Sequence, residues 1–219
     1  FNLNSKRSFL DKDDNSHTGT RILIRLPNWL GDVVMALPII RSLREARRDM
    51  FFIVLGLSIF REVIESFKLC EEYVSLNKDD VNKYVSTLIK MRYRYPECQV
   101  LFTNSLRGDI ESIVIGAPQR FGLEIGRKKR WALTHKLRIK KNEFYSVHQT
   151  KSWEKLICNF GYYGNISLEP FKISQIQSEG DDRRRIGVAI GSSNNPSKQW
   201  PLHNWAAFLL LLRPKYPDS

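Results

Sequence analysis

Residues 21–34 read Arg-Ile-Leu-Ile-Arg-Leu-Pro-Asn-Trp-Leu-Gly-Asp-Val-Val, and the architecture turns on this stretch. Its first half, residues 21–26, is a short β-rich run. Pro27 and Gly31 punctuate the second half. From residue 33 to 48 apolar residues recur at Val33, Val34, Leu37, Ile40 and Leu43, the spacing of one helix face. A strand, a tight loop and a helix in this order form the opening of a β-α-β unit. Pro38 sits inside the helical run, so a kink is expected there.

The alternation continues along the chain. Residues 51–55 are a fully apolar strand candidate, 58–67 a helix, 72–76 a short strand and 79–92 a helix with Asp79 or Asp80 as its N-cap. Residues 99–103 read as a buried strand and 106–115 as a helix stopped at Gly116. Residues 119–123 read as a further strand and 147–160 as a helix ending at Gly161. Strands that are apolar on both faces and alternate with helices predict an α/β fold with a mainly parallel, helix-covered sheet. The expected layout is a polar tail over 1–20, a Rossmann-like domain over 21–165 and a linker over 166–185. A second unit over 186–219 would then open with a strand at 186–190 and continue to a helix at 203–212.

The 219 residues carry a net charge of +12, spread unevenly. Between residues 120 and 141 stand Arg120, Arg127, Lys128, Lys129, Arg130, Lys136, Arg138, Lys140 and Lys141 against the single acid Glu124. Such a segment is either a solvated basic loop or an attractor of polyanions: nucleic acid, anionic lipid or a phosphorylated substrate. The three cysteines, Cys70, Cys98 and Cys158, fit neither a disulfide framework nor a zinc pattern, which points to a reducing cytoplasm. No apolar run approaches the roughly 20 residues of a membrane span. Any membrane contact is expected to be peripheral.

Three loops follow strands, where open α/β sheets bind their ligands. In the first, residues 26–32, Gly31 permits a tight turn or a close ligand, and Asp32 stands near a helix N-terminus. Two readings fit Asp32: an ordinary N-cap, or a general base kept anionic by the helix dipole. The loop is not the GxGxxG fingerprint, which disfavours a nicotinamide enzyme. The second, residues 104–109, carries Arg107. The third, residues 189–201, offers hydroxyls, backbone N–H groups and Lys198 for a diphosphate, and lacks P-loop spacing. Trp131 and the isolated His135 and His148 read as structural or exposed.

Four segments then carry a resemblance. They are RILIRLPNWLGDVVMALPIIRSLR (21–44), LFTNSLRGDIESIVIGAPQRFGL (101–123), RKKRWALTHKL (127–137) and IGVAIGSSNNPSKQWPLHNWAAF (186–208). In this order they resemble the lipopolysaccharide heptosyltransferase family, glycosyltransferase family 9, most nearly its heptosyltransferase II type. The resemblance implies a GT-B architecture, two Rossmann-like domains with the acceptor on the first and the nucleotide sugar mainly on the second. It implies inverting transfer of heptose from ADP-L-glycero-D-manno-heptose to a Kdo–lipid A or core acceptor, without metal or cofactor, at the cytoplasmic face of the inner membrane.

By the same resemblance Asp32 is the catalytic base, Ser192, Ser193 and Lys198 bind the donor, and Asn28, Gly31, Arg107 and Arg130 meet the acceptor. The chain has Ile190-Gly191-Ser192 where the family has Pro-Gly-Ala, and Gln199 where it has Arg or His. A related GT-B transferase using another nucleotide sugar for a surface glycan is therefore the alternative. A basic nucleic-acid-binding module is the alternative of a different class. Both ends look cut, and the family's later Asp-Ser/Thr-Gly-Pro-x-His segment is not among these residues. The chain is expected to be an inactive fragment on its own.

Overall fold

A computed structural model of the chain describes residues 19–169, 171, 186–191 and 196–216. The chain divides into two compact units after Phe171. In the first unit the strands are β1 (Arg21–Arg25), β2 (Phe51–Leu57), β3 (Glu72–Leu76), β4 (Cys98–Leu101), β5 (Gln119–Ile125) and β6 (His135–Ile139). Its helices are α1 (Leu30–Ala46), α2 (Arg61–Ser66), α3 (Val81–Tyr93), α4 (Leu106–Ile115), α5 (Lys141–Ser146) and α6 (Gln149–Asn159).

Every strand pairing is parallel, and the order across the sheet is β3-β2-β1-β4-β5-β6. The chain builds outward from β1 on one side, then returns to lay β4 against β1 and builds outward on the other. The strand order therefore reverses between β1 and β4. This is the doubly wound Rossmann order, and its ligand crevice lies beyond the carboxyl ends of those two strands. The expected α/β class with a parallel sheet is what the chain adopts.

Each face of the sheet has its own core. Ile22, Ile24 and Leu26 of the β1 region pack with Val33, Leu37 and Ile40 of α1 and with Trp153, Leu156 and Ile157 of α6. Trp153 meets the Phe102 ring edge-on at 5.3 Å. On the other face Leu23, Ile53 and Leu55 pack with Leu88 and Met91 of α3 and Ile115 of α4. Each such side chain contributes about 1.5–3 kcal/mol on burial. Strict alternation along β1 leaves Arg25 on the α3/α4 face, where it is 1% exposed.

Local chemistry sets the helix ends. Asp80 is the N-cap of α3 and accepts from the Lys83 N–H at 3.0 Å. Ser105 does the same for Gly108 at 3.1 Å in α4. Gly116, at φ +75, closes α4 in the left-handed region. Helix α1 runs on through Pro38 with Ile39 and Ile40 buried beyond it.

Several expectations are corrected. Residues 58–60 form a separate 3-10 turn before α2. Helix α6 starts at Gln149, because His148 is extended and its ring accepts from the Thr150 N–H. The basic segment contains a strand, β6, and is followed by α5. The second unit contains a 3-10 turn at Pro196–Lys198 and helix α7 (Leu202–Leu212). Residues 186–190 carry no regular secondary structure and are exposed, with no ladder partner among the described residues. A strand exists only through its neighbour's hydrogen bonds. Ile186, Val188, Trp205, Phe208 and Leu212 instead line an open apolar cleft within this unit.

Candidate active site

At the reversal point, β1 runs into residues 26–29 and β4 into residues 102–105. Asp32 is the third residue of α1, in its first turn. The N-cap is Trp29, whose side chain makes no cap bond, so the capping reading of Asp32 is corrected. Among the described residues the Asp32 carboxylate has no hydrogen bond or ion pair. Partial burial pushes its pKa above the ordinary aspartate value, against the pull of the helix N-terminus. A half-buried carboxylate with a raised pKa and no partner among the described residues is a stronger base than a solvated one.

Gly31 is the second residue of α1 and exposed. A Cβ there would meet nothing within 4 Å, and the backbone needs no left-handed angle. The tight-turn reading is thus corrected. What glycine leaves open is the space outside the chain.

Behind this loop lies a charged network that the sequence reading missed. Arg25 donates to both carboxylate oxygens of Glu111 in α4, at 2.5 and 3.2 Å. The Tyr84 hydroxyl of α3 donates to the same carboxylate. Burial raises the Tyr84 pKa, and its bond to Glu111 raises it further. Arg25 Nη2 and Lys78 Nζ both donate to Asn28 Oδ1, at 3.2 and 3.0 Å. The Asn28 carbonyl oxygen is therefore turned to the cations, which fixes the amide and points its NH2 the other way. Burial lowers the Lys78 pKa, and the nearby Arg25 and Arg107 lower it further. Arg107, exposed in the first turn of α4, thus shares one electrostatic neighbourhood with Lys78 and Arg25. The available signal was a charge, Arg25, closing the apolar run Ile22-Leu23-Ile24. Its partner 86 residues away was not readable.

Arg130 occupies a different place from the one expected. It is fully buried. Its Nε donates to Asp109 at 2.6 Å, and its Nη1 to the carbonyls of Thr103 and Leu123 and to Asn104 Oδ1. It rivets the loop after β5 to the start of α4, and direct acceptor contact by its side chain is corrected on that ground. The basic segment is also less of a patch than its composition implied. Arg120 donates to the Ala117 and Ala132 carbonyls. Glu124 accepts from the Arg130 N–H and from Arg138, and stands 3.8 Å from Lys136. Trp131 is 60% exposed.

In the second unit Lys198 ends the 3-10 turn and is exposed. Ser192 and Ser193 lie outside the described residues. Among the described residues no group of three His, Cys, Asp or Glu side chains could hold a metal ion. A separate concavity of about 460 Å³ lies between the C-terminal ends of α1 and α6, lined by Leu43, Ala46, Phe160 and Tyr162. It is roughly 20 Å along α1 from Asp32.

The fold is a doubly wound Rossmann unit, and the loops at its reversal point carry a carboxylate with no partner among the described residues, Asp32, and an Arg25–Lys78–Asn28 cluster. Solved structures share that fold. The structure of Escherichia coli ADP-heptose lipopolysaccharide heptosyltransferase II superposes with a TM-score of 0.70 at 16% identity, covering 90% of this chain and 62% of that one. A family 9 glycosyl transferase from Veillonella parvula gives 0.68 at 18%, covering 90% and 61%. The E. coli heptosyltransferase WaaC with ADP gives 0.68 at 15%, covering 88% and 63%. This chain thus spans about six-tenths of the length of each. No family model matches the sequence, and no curated protein does.

Proposed function

We propose that the chain is the acceptor-binding part of an inverting glycosyltransferase that moves heptose from ADP-L-glycero-D-manno-heptose to the inner core of lipopolysaccharide. The observation that carries this reading is the unpaired Asp32 carboxylate at the mouth of the sheet, in a fold shared with heptosyltransferases, one of them solved with ADP. Asp32 takes the proton from an acceptor hydroxyl. The oxygen attacks the anomeric carbon from the face opposite the diphosphate, the bond to the diphosphate breaks, and the configuration inverts. Lys198 neutralises the departing diphosphate, and Ser192 and Ser193 belong to the donor loop.

On the acceptor side Asn28 presents its fixed NH2, and Arg107 with Lys78 draws in the acceptor's carboxylates or phosphates. The open space at Gly31 allows substrate against the helix backbone. The acceptor is a glycolipid at the inner membrane face, and the protein works there from the cytoplasm without a metal. Departures at Ile190-Gly191-Ser192 and Gln199 favour, as second reading, a different nucleotide sugar in the same chemistry.

The test is transfer by the full-length protein, assayed with ADP-heptose and a Kdo–lipid A acceptor. Asp32→Ala should lower kcat by at least about 10²-fold with ADP binding unchanged. Retained turnover would remove Asp32 as the base, and activity with only another nucleotide sugar would favour the second reading.

A further inference from the structure

The outer face of α3 and α4 is not that of an ordinary surface helix pair. Val81, Val85 and Ile89 recur every fourth residue along α3 and are 72%, 43% and 42% exposed. Leu106, Ile110 and Ile113 form the matching row on α4 at 58%, 50% and 40%. The two helices lie side by side on one face of the sheet. Their inward positions, such as Leu88, Met91 and Ile115, already supply that core. The apolar rows are therefore surplus to folding, and contiguous exposed apolar surface of this kind marks an interaction site.

Charge says what kind of partner fits. Lys83, Lys90, Arg92 and Arg107 are exposed on the same two helices. Helix α3 contains no acid, and the two acids of α4, Asp109 and Glu111, are each 1% exposed and paired inward. Asp80, the N-cap of α3, stands 3.5 Å from Lys83 and pairs with it. Beyond that first turn the exposed charges of the two helices are Lys90, Arg92 and Arg107, with no exposed carboxylate among them. A second copy of this chain would set those cations against their own counterparts across a two-fold axis. An anionic lipid surface complements both features, apolar rows in the acyl boundary and cations among the phosphates.

We propose that the outer face of α3 and α4 docks on an anionic bilayer. Both helices start at the carboxyl end of the sheet, so docking brings the lipid surface to the rim of the mouth that holds Asn28 and Asp32. No helix among the described residues is long and apolar enough to cross a membrane. The choice of a lipid as partner rests on the glycolipid acceptor proposed above.

Flotation of the chain with vesicles tests it. Vesicles of phosphatidylglycerol and phosphatidylethanolamine should carry the protein, and phosphatidylcholine vesicles should not. Val85→Ser, Ile89→Ser and Ile110→Ser together should cut partitioning by at least about tenfold. Lys90→Gln and Arg92→Gln should each cut it roughly fivefold. Circular dichroism melts of these variants should match the parent, since every altered residue is exposed. The loop variants Lys128→Gln and Lys129→Gln should float as before.

Absence of flotation would overturn the proposal. So would loss confined to the loop variants, or helix variants that abolish self-association in lipid-free sedimentation while floating normally. Heptose transfer to a delipidated, water-soluble acceptor separates the two readings. It survives in the full-length helix variants if only the docking surface is altered, and is missing from the parent protein if the proposed activity is wrong.

Discussion

Arg25 and Arg130 are two guanidinium groups with the same difficulty, a full charge at 1% and 0% exposure. A buried charge is tolerated only when paired, and each has a carboxylate, Glu111 and Asp109. Their consequences differ. Arg25 sits beneath Asn28 and sets the orientation of a group at the mouth, whereas Arg130 ties the loop after β4, at Thr103 and Asn104, to the loop after β5 and to Asp109. Arg130→Met should therefore destabilise by about 3–5 kcal/mol, because Asp109 is left charged and unpaired. A urea titration measures this. Pairing it with Asp109→Leu should recover a large part of the loss. In the full-length protein, at a temperature where the variant is folded, kcat for the proposed transfer should stay within a few-fold of the parent.

Among the helices, the start of α4 depends on one close contact. A Cβ on Gly108 would lie 2.4 Å from Thr103 Oγ1, so the helix packs on the end of β4 only with glycine there. Gly108→Ala should cost about 1–3 kcal/mol, and Thr103→Ala in the same chain should return most of it. A double-mutant cycle by thermal melting reads the coupling.

The strands that carry this packing were legible in the sequence because β1, β2 and β4 are apolar on both faces and bounded by breakers. The cap at Asp80 was legible because an acid preceded the periodic run. Strand β6 was not. His135, Lys136 and Arg138 mask the alternation of Leu137 and Ile139, as charges on an edge strand commonly do. Residues 186–190 erred the other way, with strand composition but no pairing neighbour among the described residues. At the site, Asp32 was singled out by its place after a strand and Asn28 by the resemblance of its loop. Lys78, Tyr84 and Glu111 were not, because crossovers between distant strands bring them together and no local pattern records that.

Across the protein, acid should unfold the chain through its paired carboxylates. The Arg130 N–H and then Arg138 hold the Glu124 carboxyl below the usual glutamate value. Lys155 does so for Glu143 and Arg47 for Asp49. A folded-state pKa below the unfolded one gives stability that is present above the unfolded value, near 4 for these groups, and lost as pH falls through the folded one. Asp32 has the opposite sign, since its raised pKa favours the protonated folded form. With the lowered carboxyls outweighing it, Tm should be flat from about pH 7 to 5 and drop below roughly pH 4. Glu124→Gln should make that drop shallower.

The arrangement of the tryptophans has an optical consequence. Trp153 is 1% exposed against Phe102, deep in the α1/α6 core, whereas Trp29 is 63% exposed and caps the very helix that carries Asp32. Their emission bands should separate, blue for the interior indole and red for the one at the mouth. Trp131 and Trp200 are exposed as well, at 60% and 46%. In a Trp131→Phe, Trp200→Phe background, iodide should quench the red component first, and adding Trp29→Phe should remove much of that quenchable light while the blue band remains as a gauge of folding. With the Trp131 and Trp200 indoles removed, the molecule carries its own two-colour reporter, one colour for the integrity of the sheet and one for whatever settles beside Asp32.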